Sequence, residues 1–334
     1  MLTFKPSQIL FFFTLIMGIF ISISSSSWFV AWMGLELNLL SFIPLMASHG
    51  NRYTTESAIK YFLIQALGSS SLLLSSPLSL FNTHLSSIVI TMALLLKAGA
   101  APLHFWFPPV MQGITWPQCL VLMTLQKVAP ILIMSNLVSP DSLPLIILAS
   151  LASAMVGALG GLNQTLTRKV MSYSSINHMA WMLASLTMSE TLWVIYFLSY
   201  TLISSSVVFI LNSNQIFHFS QLSSLNLYSK SMKLSLFLSL LSLGGLPPFL
   251  GFLPKMMVIQ QFLASQTSII WLAGLLFSAL LTLFYYIRLA TPPLLLSSST
   301  FKSSTYPLNT KLLSTLFLIN FTPLLYPLFI LALF

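Results

Sequence analysis

Four ionisable side chains, Glu36, Lys97, Lys127 and Lys255, lie inside stretches of sequence too apolar for water to reach. A charged group at the centre of a bilayer costs about 2.5–3.5 kcal/mol on an insertion scale, so each needs a chemical reason to be there. Low dielectric disfavours the charged form of a lysine, and a nearby carboxylate restores it. Three lysines with one glutamate are therefore groups that can gain and lose protons as their pairing changes. That chemistry is proton relay, and it needs neither metal nor organic cofactor. His104 and His178 are near-neutral titrators in or beside the same stretches and extend the candidate set. A lone histidine is more often held by packing or a hydrogen bond, and that reading stands beside the relay. For Glu36 the plainer alternative is a structural ion pair.

The elements that must position these groups follow from composition. The chain has 334 residues, of which 57% are hydrophobic and only 5% charged. A soluble domain carries roughly 25% charge, so this chain cannot wet a water-facing surface and is expected to fold in lipid. A spanning helix takes about 20 apolar residues. Such runs fall near 7–25, 28–47, 57–77, 85–108, 114–138, 144–162, 170–188, 191–211, 234–262, 268–289 and 312–333. They are continuous and far longer than the ~10-residue alternating strands of a membrane barrel. The expected fold is an all-α polytopic membrane protein of about eleven transmembrane helices. Lys97 and Lys127 then lie about a dozen residues from either end of their spans, roughly 18 Å, too far for a lysine to snorkel. Lys255 lies nearer an end.

Charge sorts the ends of these spans. Lys5, Arg52, Lys60, Arg168, Lys169, Lys230, Lys233, Arg288, Lys302 and Lys311 fall on the side of the N-terminus, and Asp141 and Glu190 on the other. By the positive-inside rule the N-terminus faces the cytoplasm or the mitochondrial matrix. Two spans are interrupted beside a lysine: LLLKAGAAPLHFWFPP after Lys97, and LSLGGLPPFLGFLPK before Lys255. Proline deletes a backbone donor, and broken helices at membrane depth survive only where protein or a wet cavity satisfies the freed groups. The two breaks are five spans apart and so run in opposite directions, as an inverted repeat requires. The expectation is one membrane domain, with inverted five-helix repeats over 1–138 and 144–289 and a loop and C-terminal helix over 290–334.

Other chemistries are excluded. The net charge of +9 carries no basic run longer than Arg168-Lys169, which argues against nucleic acid. The single cysteine, Cys119, cannot build a disulfide scaffold or an iron–sulfur site and reads as a small buried apolar residue. There is no metal-ligand spacing, catalytic triad or phosphate loop. His49, His84 and His218 fall in or near loops, and Trp28, Trp32 and Trp116 read as interface or packing aromatics.

The stretches WMGLELN (32–38), LKAGAAPLHFWFP (96–108), LQKVAP (125–130), GLNQTLTRKVMSYSSINHMAWM (161–182) and GGLPPFLGFLPK (244–255) resemble the antiporter-like membrane subunits of respiratory complex I, NADH:ubiquinone oxidoreductase. The resemblance implies proton translocation coupled to quinone reduction elsewhere in a complex. It implies a pairing of Glu36 with Lys97, a central place for Lys127 and the far end of the relay for Lys255. His104 and His178 also match motif positions. NADH, FMN, iron–sulfur clusters and ubiquinone would then belong to other chains. The implied neighbours are the antiporter-like chain 4, the small chain 4L and membrane lipids. The implied setting is the mitochondrial inner membrane, with the N-terminus in the matrix and the C-terminus in the intermembrane space. Bacterial relatives have about three more helices at the start, and a chain shortened in this way fits an animal mitochondrion. Two other readings remain open: a free-standing cation/proton antiporter, and a membrane spacer that no longer pumps.

Overall fold

The structure, a computed structural model, describes residues 6–47, 50–223, 230–265 and 268–295. Its described residues form fourteen helices and no strand; one isolated antiparallel bridge joins Leu166 to His218. The chain divides into two compact units, at Met1–Ser153 and Ala154–Phe334. The first contains α1 (Pro6–Ser24), α2 (Trp28–Ala47), α3 (Arg52–Leu78), α4 (Thr83–Ala98), α5 (Phe107–Gly113), α6 (Trp116–Met123), α7 (Leu125–Ser135) and the start of α8 (Leu143–Leu162). The second contains the rest of α8, then α9 (Thr167–Met188), α10 (Glu190–Ser213), α11 (Phe219–Ser223), α12 (Lys230–Gly244), α13 (Phe252–Ala264) and α14 (Ile269–Leu295).

Among the described residues seven helical stretches are long and apolar enough to cross a membrane: Pro6–Ser24, Trp28–Ala47, Arg52–Leu78, Trp116–Ser135, Leu143–Leu162, Glu190–Ser213 and Ile269–Thr291. Three of the other expected spans differ for physical reasons. The fourth and ninth are cut short by their breaks, leaving apolar helices at Thr83–Ala98 and Lys233–Gly244. The seventh is present as α9, but its SYSSINH stretch makes it too polar to count by composition. The expected eleventh span at 312–333, Lys5, His49, Lys302 and Lys311 lie outside the described residues. Between the expected spans 191–211 and 234–262 lies the short helix α11, and α12 begins at Lys230.

Helices suit these sequences because hydrocarbon offers no partner for a backbone amide or carbonyl, so each segment must satisfy its own. The many serines obey the same rule. Ser22, Ser75 and Ser185 each donate to the carbonyl three residues back, at 2.7, 2.7 and 2.8 Å, and present no unsatisfied hydroxyl to lipid. The faces turned outward are apolar: Phe13 and Phe20 on α1 and Leu67 on α3 are each 63% exposed. In water such a surface would aggregate; against acyl chains it is the expected exterior.

Small residues let α1 and α2 approach backbone to backbone. A Cβ on Gly34 would lie 2.5 Å from the Ser22 amide nitrogen, and one on Gly18 would lie 2.9 Å from the Gly34 carbonyl oxygen. Gly34→Val is therefore expected to push the two helices apart and destabilise the unit by about 1–3 kcal/mol, the ordinary range for overpacking. A thermal unfolding scan indistinguishable from the parent protein's would count against this contact.

In the second unit, residues 216–221 form a strap against the turn between α8 and α9. The Thr167 amide donates to the Phe217 carbonyl at 3.0 Å and the Phe219 amide to the Thr165 carbonyl at 2.9 Å. The Gln221 side-chain oxygen accepts from the Phe217 and His218 amides at 2.7 and 3.1 Å.

Candidate functional site

In the first unit the site begins where α4 stops. Gly99 takes a left-handed conformation (φ 74°), which only a residue without a Cβ adopts cheaply, and Pro102 follows behind a cis peptide bond. Three of the carbonyls released at this end are taken. The Ala100 amide donates to Leu95 O at 3.0 Å, the Gly99 amide to Leu96 O at 3.1 Å and the Trp106 indole to Leu96 O at 3.1 Å. Gln65 on α3 donates to Lys97 O at 3.3 Å.

Lys97 is 6% exposed and lies in the last turn of α4. The sequence placed it about a dozen residues from either end of a single span; the helix instead stops one residue later, because Gly99 and Pro102 end it. The negative end of the α4 dipole faces this ammonium, a favourable placement for a cation. Room for the stem comes from Gly68 on α3, where a Cβ would lie 3.0 Å from the lysine Cγ. The Glu36 carboxylate on α2 is close enough to act on Lys97 by charge. The described residues form no ion pair between the two within 4.0 Å. Glu36 is half-buried, and its Oε2 is buried without a hydrogen-bond partner among the described residues.

Lys127 is 2% exposed, with its Nζ 5.1 Å from the centroid of the Phe107 ring. It lies inside the stretch Trp116–Ser135, whose helix is interrupted at Thr124 (φ −113°, ψ −79°), which puts Lys127 in the first turn of α7. The Thr124 hydroxyl binds Leu120 O at 2.7 Å, and the Lys127 amide reaches only to Thr124 O, at 3.1 Å. Pro130 has no amide to offer the Gln126 carbonyl, which loosens the helix further. Beside the lysine runs a buried polar chain that the sequence reading did not single out. Tyr61 donates to Gln126 Oε1 at 3.2 Å, and Gln126 Nε2 donates to Asn38 Oδ1 at 2.8 Å. Asn38 lies two positions beyond Glu36 on α2. The available signal was a Gln and an Asn inside otherwise apolar runs, each adjacent to a singled-out motif residue or nearly so.

The second unit repeats the theme. The α12 helix ends at Gly244, Gly245 is left-handed (φ 81°), and the chain resumes helically at Phe252. Lys255, 6% exposed on α13, reaches back across the break, and its Nζ donates to the Gly244 carbonyl at 2.8 Å. Gly245 makes room, since a Cβ there would lie 2.9 Å from that Nζ. The ammonium also stands 5.9 Å from the Trp181 ring centroid.

His178 on α9 is 5% exposed, and its Nδ1 lies 3.0 Å from the Tyr196 hydroxyl on α10. The Tyr200 ring is 4.9 Å away, centroid to centroid. His104 sits within the α4 break and turns onto it: Nδ1 lies 3.3 Å from Pro102 O, and the ring lies 4.4 Å from that of Phe105. Among the described residues no group of three or more His, Cys, Asp or Glu could hold a metal ion. Cys119 is buried, with its Sγ 3.6 Å from Met111 O.

A helix broken beside a buried lysine in each unit, in an apolar chain whose described elements are all helices, is the architecture of an antiporter-like membrane protein. The chain belongs to the NADH:quinone oxidoreductase/Mrp antiporter membrane family, whose pattern it matches over residues 25–84 and 78–282. Within that family it is similar to NADH-ubiquinone oxidoreductase chain 2. The protein of that name from Anopheles gambiae is 49% identical over 298 residues, 86% of this chain and 85% of the relative. The one from Xenopus laevis is 40% identical over 280 residues, 81% of each. Among solved structures, a chain of respiratory complex I from Thermus thermophilus superposes with a TM-score of 0.84 at 24% identity, over 94% of this chain and 76% of that one. A chain of the Mrp complex from Dietzia shares the fold as well, with a TM-score of 0.79 at 18% identity, over 89% and 62%.

Proposed function

We propose that the chain is an antiporter-like membrane subunit of a proton-pumping NADH:ubiquinone oxidoreductase and that its own chemistry is proton transfer. The observation that carries this reading is that all three intramembrane lysines stand beside an interruption of their helix. A buried lysine elsewhere would be an uncompensated cost; beside broken backbone it meets carbonyl dipoles and polar groups that hold a proton or a water. Glu36, Lys97, Lys127 and Lys255 are the relay groups, with His178 and His104 as further members. Two related five-helix repeats are supported by the recurrence of a broken helix with its lysine in each unit. NADH oxidation, the flavin, the iron–sulfur clusters and quinone reduction are assigned to other chains. The neighbours are antiporter-like and small membrane subunits such as chains 4 and 4L, together with lipids. The setting is the mitochondrial inner membrane, with the basic N-terminal side in the matrix.

The test is to solubilise the native membrane gently, separate it on a native gel, stain for NADH oxidation and locate this chain by mass spectrometry. Its presence in the large NADH-oxidising band is expected. Confinement to a small, NADH-inactive band would instead favour a free-standing cation/proton antiporter, the reading that the likeness to the Mrp complex supports. Within the relay, Tyr196→Phe removes the hydroxyl partner of His178 and leaves the ring packing in place. Loss of one such bond is worth about 1 kcal/mol, so coupled turnover is expected to fall roughly five-fold while assembly is kept. Unchanged turnover would reduce the Tyr196–His178 contact to packing.

A further inference from the structure

We infer that Gln126 is a positioning residue for Lys127: its side-chain amide, clasped between α3 and α2, fixes the turn of helix from which the lysine projects. The inference rests on the reading of Lys127 as a relay group. The amide is held at both ends. Its oxygen accepts from the Tyr61 hydroxyl at 3.2 Å, and its nitrogen donates to Asn38 Oδ1 at 2.8 Å. All three side chains are buried. The clasp sits where the backbone is weakly tied. The helix is interrupted at Thr124, the Lys127 amide reaches only to Thr124 O, and Pro130 offers no amide to the carbonyl of Gln126. Gln126 and Lys127 are consecutive on α7. Anchoring the first side chain on two other helices therefore fixes the rotation of that turn, and with it the direction in which the second side chain leaves.

The clasp also ties Lys127 to the mount of Lys97. Tyr61, Gln65 and Gly68 follow one another at helical spacing along one face of α3. Tyr61 holds Gln126, Gln65 donates to the Lys97 carbonyl at 3.3 Å, and Gly68 leaves room for the Lys97 stem. The Tyr61 ring stands 5.8 Å from that of Trp106, whose indole binds Leu96 O at the end of α4. A single helix thus places both lysines. Proton transfer is sensitive to such placement, since a displacement of about 1 Å can cost on the order of 100-fold. Packing alone does not call for an amide at this position, because a leucine or methionine fills comparable room with no polar atom to satisfy. A buried amide hydrogen-bonded at both ends selects one arrangement of the helices that carry it.

The test uses the assembled complex in proteoliposomes, with NADH-driven turnover and the proton-to-electron ratio referred to the amount of assembled enzyme. Gln126→Met is expected to lower coupled turnover roughly tenfold. Tyr61→Phe removes one of the two anchors, keeps the ring against Trp106 and should lower it roughly threefold. The double variant should be no worse than Gln126→Met alone, because the hydroxyl acts through the amide. The pH dependence of turnover should move in both single variants, since a displaced lysine meets different surroundings. A merely structural role would reduce the amount of assembled enzyme and leave that pH dependence unmoved, a result that overturns the proposal. Parent-like turnover and pH dependence in Gln126→Met would overturn it too, as would the same result in Tyr61→Phe if Gln126→Met does not assemble. Lys127→Met separates this failure from failure of the relay reading. If that variant pumps like the parent, the relay reading itself falls; if it is impaired while Gln126→Met is not, the positioning role alone falls.

Discussion

Lys97→Met in the assembled enzyme is expected to cut coupled proton translocation by roughly tenfold or more, a barrier change of about 1.4 kcal/mol for each decade. Methionine keeps much of the unbranched stem that packs against Gly68, so assembly is expected to survive. What disappears is the one group in the last turn of α4 able to hold and release a proton beside Glu36. Two outcomes fit the reading, since tight coupling lowers NADH-driven turnover and loose coupling lowers the proton-to-electron ratio at preserved turnover. If both quantities are unchanged, Lys97 has no part in the relay. Lys97→Arg separates proton transfer from static charge. An arginine stays cationic and does not deprotonate in a protein, so this variant is expected to be as impaired as the methionine. A fully active arginine variant would reduce the lysine to a fixed counter-charge for Glu36.

The second large effect is structural. A Cβ on Gly251 would land on the carbonyl oxygen of Ser242, a backbone atom in the last turn of α12. Nothing flexible lies in the way that could swing aside, so the break itself must open. Gly251→Ala is expected to cost about 3 kcal/mol, the upper part of the overpacking range, and to pull Gly244 away from the Lys255 ammonium. Gly244→Ala is the matched control. Its Cβ would meet only Leu283 and Tyr286, at 3.7 Å, ordinary contact distances. An alanine at this last position of α12 should change stability by no more than about 1 kcal/mol. The measurement is the temperature at which the purified complex loses half its activity. Equal temperatures for the two variants would show that the close approach of Gly251 to Ser242 does not hold the break.

Much of this arrangement was legible from the residue order. The apolar runs announced helices in lipid, and the rarity of charge isolated Glu36 and the three lysines without any knowledge of contacts. The α4 and α12 stops were also readable, because Gly99 with Pro102, and Gly245 with Pro247, are unambiguous punctuation. The depth of the first stop is not legible: the apolar run to residue 108 reads as continuing helix, yet the chain is irregular from Gly99 to Trp106 and turns helical again at Phe107. The interruption at Thr124 gave almost no signal. Threonine is tolerated in helices, and the nearest breaker, Pro130, acts only through the carbonyl of Gln126. The Tyr61–Gln126–Asn38 chain was illegible for a different reason. Its partners are 65 and 88 residues apart in sequence, so only the packing of α2, α3 and α7 brings them together.

The hydrogen-bonded end of α4 bears on time. With Leu95, Leu96 and Lys97 carbonyls all engaged, bending the backbone at this break means losing several bonds at once in a medium that supplies no substitute. Hinge motions of that kind belong to the microsecond-to-millisecond range, whereas side-chain rotamers exchange in picoseconds to nanoseconds where space allows. The fast coordinate at Lys97 is then the swing of its own stem past Gly68, with the break as a fixed mount. Hydrogen exchange should register this directly, with the Gly99 and Ala100 amides among the slowest in the first unit even while the enzyme turns over.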